Sequence, residues 1–469
     1  MHIKHPDLEI PIENPFANCK LEREKYADIL TNIVSTYSDG FVMAINNEWG
    51  TGKTTFVKMW QQKLNNEGHK TIYFNAWEND FEDNPLTAIM GELKSLTKLS
   101  TNQKFKSTLK KAAILSKHVG PAIVQSLADK YIDTKSIKEA LKEVTKGLTD
   151  IFENEVNDYA ERKNSIIEFK RSLADFIADT YNGKPFVFII DELDRCRPNY
   201  AVSILEQIKH FFTVPNVVFV LSIDKNQLGS AIKGVYGSES LNSEEYLRKF
   251  IDLEYSIPEP NKNLFYTYLF DYFKFKDFFD SPERKQLRQL QNDGKYFLKV
   301  TELIFTNKNL PLRQQEKIFS LARISLRSFN LNNYVVPEVL IFLSFIKILE
   351  KSFYDDLKFK KSTIQNLQEN FLKTVITNKT EKTENELILL EAYLLNFYDN
   401  YLESNNHKRN IYRFDRDKGE NILLIDSIVN KEKNKSLLWR LENLSNSREG
   451  DLDLGYFISR IDLMENLIL

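Results

Sequence analysis

The chain has 469 residues, 42% hydrophobic and 28% charged, an ordinary globular balance long enough for roughly two to four domains. Its 64 Lys and Arg against 66 Asp and Glu leave a net charge of −2, which gives no global argument for nucleic acid or membrane as partner. Two cysteines, Cys19 and Cys196, exclude a disulfide framework and a cysteine-based zinc site, and fit a reducing cytoplasm.

The N-terminus carries no apolar segment of a signal peptide. A Pro-punctuated stretch, Ile10 to Phe16, leads into a helical pattern from Leu21 to Val34, apolar at Tyr26, Ile29, Leu30 and Ile33. Phe41 to Ile45 is a short apolar run and predicts a buried strand, followed by a loop and a helix from Thr54 to about Asn65. Thr71 to Phe74 predicts a second strand. From about Pro85 to Thr180 the pattern is helical, broken at Gly120-Pro121. Strand character returns at Pro185 to Ile190 and at Val217 to Ile223, with a helix from Ala201 to Phe212 between them. Strands alternating with helices imply βαβ units and a parallel sheet. Beyond Pro258 to Pro260 only helices are expected, rich in Phe, Tyr, Leu and Ile. The fold class expected is α/β: a parallel-sheet core over residues 1–260 with a helical insert at about 85–180, then an all-helical C-terminal region over 261–469. The most apolar run, Val339 to Ile346, falls well short of the ~20 residues a membrane span needs.

The loop after the first strand reads Asn47-Glu48-Trp49-Gly50-Thr51-Gly52-Lys53-Thr54-Thr55. Placed between a buried strand and a helix, it has the context of a Walker A phosphate loop for ATP and Mg²⁺. Glycines let backbone N–H groups wrap a phosphate, and the helix N-terminus adds its positive end. Lys53 is expected to reach the β- and γ-phosphates, and the Thr54 hydroxyl to hold Mg²⁺. Asn47 stands where the motif has its first glycine; Asn tolerates left-handed backbone, so the turn can survive.

Val187 to Glu192 is an apolar strand ending in two acids, the Walker B pattern. Asp191 is expected to hold Mg²⁺ and Glu192 to polarise the attacking water. In the following Asp194-Arg195-Cys196-Arg197, an arginine can either stabilise transition-state charge or pair with Asp194, the latter being favoured; Cys196 reads as a small buried hydrophobe. At the next strand tip, Ser222 or Asp224 either senses the γ-phosphate or merely caps the strand.

Asn47 to Thr54, Phe74-Asn75-Ala76-Trp77, Ile190-Asp191-Glu192-Leu193-Asp194-Arg195-Cys196 and Glu245-Tyr246-Leu247-Arg248-Lys249-Phe250 together resemble the KAP family of P-loop NTPases, related to the AAA+ and STAND groups. The lead-in Ile12 to Pro15 with Leu21-Glu22-Arg23-Glu24 resembles the family's start. The resemblance implies ATP hydrolysis with Mg²⁺ and a helical insert that in many members carries transmembrane hairpins. Here the insert has Lys104, Lys106, Lys110, Lys111 and Lys117, and no membrane-length apolar run. Bacterial members include phage-exclusion and other defence proteins, which implies a soluble bacterial ATPase acting through nucleotide-dependent assembly. The alternative is a slow nucleotide switch whose helical C-terminal region binds an unidentified partner protein. A nucleic-acid contact by the basic insert is weakly supported, because Phe105 is the only aromatic between Thr101 and Gly120. The aromatic run from Phe265 to Phe275 reads as helical core. In a homo-oligomer, Arg248 could reach a neighbour's γ-phosphate unless it is a surface partner of Glu244 or Glu245; Arg313 resembles a second sensor within the chain.

Overall fold

The computed structural model describes residues 8–37, 40–82, 84–98, 101–119, 151–180, 184–237, 240–259, 262–305, 310–375, 380–402, 411–417 and 419–463. They fall into two units that divide between Pro258 and Glu259. The first unit runs α1 (Glu24–Thr36), β1 (Phe41–Asn46), α2 (Lys53–Asn66), β2 (Thr71–Asn75), α3 (Pro85–Leu93), α4 (Asn102–Val119) and α5 (Ile151–Thr180). It continues through β3 (Phe186–Asp191), α6 (Pro198–Gln207), β4 (Val217–Ile223), α7 (Lys225–Tyr236), α8 (Ser243–Leu247) and β5 (Leu253–Tyr255).

The five strands form one parallel sheet in the order β2-β3-β4-β1-β5. The continuous apolar runs fill the centre, where a strand is covered on both faces; β3 and β4 are buried along their whole length. The edge strand β5 is short and half-buried, with little periodicity to mark it in the sequence. Side chains alternate between faces with a period of two. Met43, Ile45, Val187, Ile189, Val218 and Val220 meet Phe56, Val57 and Trp60 of α2 on one face. Val42, Ala44, Phe188, Ile190, Phe219 and Leu221 turn to the other, toward α3 to α7.

Of the insert expected at about 85–180, the helices α3, α4 and α5 are described, and they pack on that second face. Phe105 meets Phe176 at 5.2 Å between centroids, and Phe169 meets Phe212 at 5.6 Å. Of the insert's lysines, Lys104 pairs with Asp179 at 2.5 Å and Lys111 pairs with Glu168. Two of the basic positions thus face acids of α5, as on a solvated helical pair. The Gly120-Pro121 break and the Lys117 side chain lie outside the described residues.

The second unit is mainly helical: α9 (Lys262–Tyr272), α10 (Lys276–Phe279), α11 (Pro282–Lys285), α12 (Asp293–Phe305), α13 (Leu312–Ser325), α14 (Pro337–Leu349), α15 (Lys351–Lys358), α16 (Ile364–Val375) and α17 (Glu381–Leu402). After a short antiparallel hairpin, β6 (Tyr412–Asp415) and β7 (Glu420–Leu423), come α18 (Asn434–Ser445) and α19 (Leu454–Ile461). The hairpin departs from the helices-only expectation. Its alternation of Tyr412, Arg413, Phe414 and Asp415 is too short and too charged to read as a strand, and Gly419 supplies the positive φ of its turn (69°). The expected aromatic core is present, with Phe270, Phe275 and Phe297 in ring contact. The apolar run from Val339 lies in α14, which is buried from Pro337 through Ile346. No helix among the described residues is long and apolar enough to cross a membrane.

In α14, Glu338 is buried, and desolvation raises its carboxyl to about 8. Burial likewise lifts Glu449 to about 7. A carboxyl whose folded pKa is raised holds its proton in the native state after the unfolded chain has released it. Stability from these groups is therefore complete below about 4.5 and falls as pH rises toward 8, by up to ~1.4 kcal/mol per pH unit per group. Hydrogen exchange of the α14 amides should slow from pH 8 to pH 6 after correction for the intrinsic rate, and Glu338→Gln should flatten that dependence. An unaltered slope in the variant would refute the assignment.

Candidate functional site

The site is built at the C-terminal ends of the parallel strands, where ligands bind in such sheets. Beyond β1, the Asn47 N–H donates to the Ile223 carbonyl at 3.2 Å, carrying the ladder one step past the strand. The loop then turns through Gly50 (φ 79°) and Gly52 (φ 83°), both left-handed, and the Thr51 hydroxyl donates to the Glu48 carbonyl at 2.8 Å. Gly52 caps α2 and Lys53 is its first residue. The four N–H groups of such a first turn have no intrahelical acceptor.

The Lys53 side chain is buried and folds over its own loop. Its Nζ donates to the carbonyls of Asn47 and of Glu48, the latter at 3.0 Å. Burial lowers its pKa, opposed by the charges of Asp194, Asp224 and Asp191. Thr54 and Thr55 follow in α2, half-buried. From behind, Arg23, 4% exposed, donates to the Gly52 carbonyl at 3.4 Å.

Strand parity carries the acids to the loop. With Val187 and Ile189 toward α2, Asp191 takes the same face, in register with Asn75 of β2 and Ser222 of β4. Asp191 is 1% exposed; it accepts the Tyr73 hydroxyl at 2.9 Å and the Glu192 N–H at 3.0 Å. Glu192 ends the strand in left-handed backbone (φ 61°), a strained choice for a non-glycine residue. Its Oε1 accepts from Arg195 and its Oε2 from Asn75 at 3.2 Å. Burial raises the Glu192 carboxyl and Arg195 opposes that rise. Cys196 is buried, and desolvation pushes its thiol up, consistent with a packing role.

Two expectations change. Arg195 pairs with Glu192, three residues back, and not with Asp194, whose carboxylate instead accepts the Trp49 indole N–H. Asn47 has no positive φ; its amide brackets the backbone of Ile257, accepting the N–H at 2.9 Å and donating to the C=O at 2.8 Å. The asparagine thus extends the sheet to the segment after β5, a task a glycine cannot do. Asp224 caps α7, accepting from the N–H groups of Asn226 and Gln227 at 3.1 and 3.3 Å. Ser222, by contrast, is buried, and its hydroxyl has no hydrogen-bond partner among the described residues. Arg248 is 72% exposed and paired with Glu244 at 3.1 Å, the surface pairing weighed above. Arg313 stands in the second unit, on α13.

The family model for the KAP family P-loop domain matches residues 22–335. The chain belongs to the KAP family. The match begins beside Arg23 and runs past Pro258 into the helical unit of this KAP protein. A solved structure of the ORC2 protein from Aeropyrum pernix, in ADPNP and ADP complexes, is similar over 94% of this chain and 96% of its own, at 13% identity and a TM-score of 0.34. No curated protein matches the chain.

A nucleotide phosphate fits the residues present: two left-handed glycines, a helix N-terminus and a buried ammonium converge on one loop. Among the described residues no group of three or more His, Cys, Asp or Glu could hold a metal ion by itself. A divalent cation here would take few ligands from the protein and the rest from phosphate and water, as Mg²⁺ commonly does. Tyr73, Asn75 and Arg23 carry the site without having been singled out as functional. The signal available was parity, since Tyr73 and Asn75 share the face of Asp191.

Replacing Asn47 by Gly removes both bonds to Ile257 and leaves its N–H and C=O unpaired, a loss of about 2 kcal/mol. Thermal unfolding of the Asn47→Gly protein should move down by roughly 4–8 °C. A melting curve superimposable on the wild type would rule out the bracing role.

Proposed function

We propose that this KAP-family chain binds ATP with Mg²⁺ at the loop from Asn47 through Glu48, Trp49, Gly50, Thr51, Gly52, Lys53 and Thr54 to Thr55, and hydrolyses it. The observation that carries the reading is the buried Lys53 ammonium at the head of α2, partnered by loop carbonyls and facing the acids at the tips of β3 and β4. A phosphate would give that charge the anion it lacks within the loop, while Gly50 and Gly52 allow the backbone N–H groups to turn inward.

Thr54 and Asp191 would hold the metal, with Tyr73 and the Glu192 N–H keeping the Asp191 carboxylate oriented. Mg²⁺, when bound, would neutralise charge on the β- and γ-phosphates. Glu192 would accept a proton or hydrogen bond from the attacking water, oriented by its contacts to Arg195 and Asn75. Of the two residues weighed at the β4 tip, Ser222 has the unused hydroxyl, whereas Asp224 already caps a helix. Asp224 then contributes through its charge on Lys53.

The first unit is the nucleotide-binding domain in this reading, and the helical unit from Glu259 carries the partner contacts. Nucleotide-dependent assembly in a bacterial, cytoplasmic anti-phage or plasmid-type defence role draws its support from the family resemblance. Arg248 supplies an exposed guanidinium for a neighbouring subunit once it leaves Glu244.

Lys53→Ala should weaken ATP binding in calorimetry by about 100-fold or more, ~2.7 kcal/mol. Unchanged affinity would remove the site assignment. Glu192→Gln should bind ATP within about threefold of wild type and lose about 100-fold or more in turnover. Phosphate release at the wild-type rate would exclude Glu192 as the water-positioning group.

A further inference from the structure

Arg195 is engaged on three sides. It donates to Glu192 Oε1, and its guanidinium lies 6.0 Å from the Trp49 ring centroid and 5.7 Å from that of Trp77. Both tryptophans are unusually exposed for their size, at 44% and 52%. Apolar packing therefore does not account for their position, whereas aromatic faces set against a guanidinium do. The two rings come from different elements: Trp49 is the third residue of the phosphate loop, and Trp77 follows the tip of β2. Asn75 joins the same frame, since its Oδ1 accepts the N–H groups of Trp77 and Glu78 while its Nδ2 donates to Glu192 Oε2. The Trp49 indole is tied in turn to Asp194, the neighbour of Arg195.

We infer that Arg195 is a positioning residue: held against Trp49 and Trp77, it fixes the Glu192 carboxylate and makes the geometry of that carboxylate depend on the phosphate loop. The inference rests on the hydrolytic reading above and deepens it. A carboxylate oxygen has two acceptor directions. With Arg195 on one oxygen and Asn75 on the other, each oxygen keeps one direction for water, and the carboxylate cannot rotate to present another. Without Arg195, only Asn75 remains on the side chain, and the fixed orientation that hydrolysis depends on is lost. Lysine is a poor substitute, because an ammonium lacks the planar face that stacks on indole and the fork that grips a carboxylate. The consequence for the reaction is specific. Among the described residues Arg195 makes no hydrogen bond to the loop backbone or to Lys53, on which it acts only through its charge, so the larger loss falls on the chemical step and the smaller on nucleotide affinity.

The test measures kcat and KM for Mg²⁺-ATP hydrolysis, and calorimetric binding of a non-hydrolysable ATP analogue, in wild type, Arg195→Ala, Arg195→Lys, Glu192→Gln and the Arg195→Ala/Glu192→Gln double variant. Expected for Arg195→Ala is a kcat at least tenfold down, KM and analogue affinity within about threefold of wild type, and partial recovery in Arg195→Lys. In the Glu192→Gln background, Arg195→Ala should cost little more, because it acts through the group already removed. Trp77→Ala should lower kcat by a smaller factor, since one wall of the clamp remains. An Arg195→Ala protein with wild-type kcat, or one whose tenfold loss persists in the Glu192→Gln background, overturns the inference and leaves the ATPase reading standing. Absence of turnover in the wild-type protein overturns both.

Discussion

Parallel pairing of β3 between β2 and β4 is the constraint on which the rest of the site depends. The ladder sets Asn75, Asp191 and Ser222 level with one another, and the strand period sends all three to the face covered by α2. A slip of one residue would turn Asp191 toward the insert and leave Ile190 beside the phosphate loop, reversing every contact of the site. The apolar character of both faces holds the register, because Phe188 and Ile189 are each buried against different helices.

The loop itself is stabilised from three directions. Asn47 fastens its start to the segment after β5, Arg23 supports the Gly52 carbonyl from the lead-in to α1, and Trp49 reaches across to Asp194. These contacts allow a sequence lacking the first glycine of the usual motif to keep the loop shape. The strain that remains, in Glu192 with its left-handed φ, sits one residue beyond the strand, where the chain must turn sharply into the Leu193–Arg195 segment. Strain of about 1–3 kcal/mol persists at such a position when the surrounding bonds over-determine it. Here Arg195, Asn75 and the Asp191 side chain all hold that residue.

Charge at the site is arranged to offset burial. Three aspartates act on Lys53, opposing the desolvation that lowers its pKa, and Arg195 does the same for Glu192. In the helical unit, too, burial is the larger influence: Arg284, with no exposed surface, has Asp293 as its partner and donates to the Leu331 and Asn333 carbonyls, yet desolvation still lowers its pKa, as it raises those of Glu338 and Glu449.

Much of this KAP domain was legible in the residues. Long apolar runs, a glycine-rich loop ahead of a helix and an acid pair after a strand are local signals. They determine strand, helix and phosphate loop because propensity and periodicity act within a few residues. The strands at Phe41, Thr71, Phe186 and Val217 accordingly stand within one residue of where the pattern puts their ends. What depended on chain segments far apart was decided only by the tertiary structure. β5 is too short to declare itself, and it exists because β1 offers its edge; the 412–423 hairpin is local, and its four-residue strands are too short and too charged to show a pattern. The role of Asn47 was misread as backbone tolerance, because its true partner, Ile257, lies 210 residues away. Arg195 could be matched by proximity to Asp194, but the turn aims it at Glu192 and sets it against two indoles from separate strand ends. A side chain's type is written in the sequence; the partner it meets is set by which strands the sheet brings together.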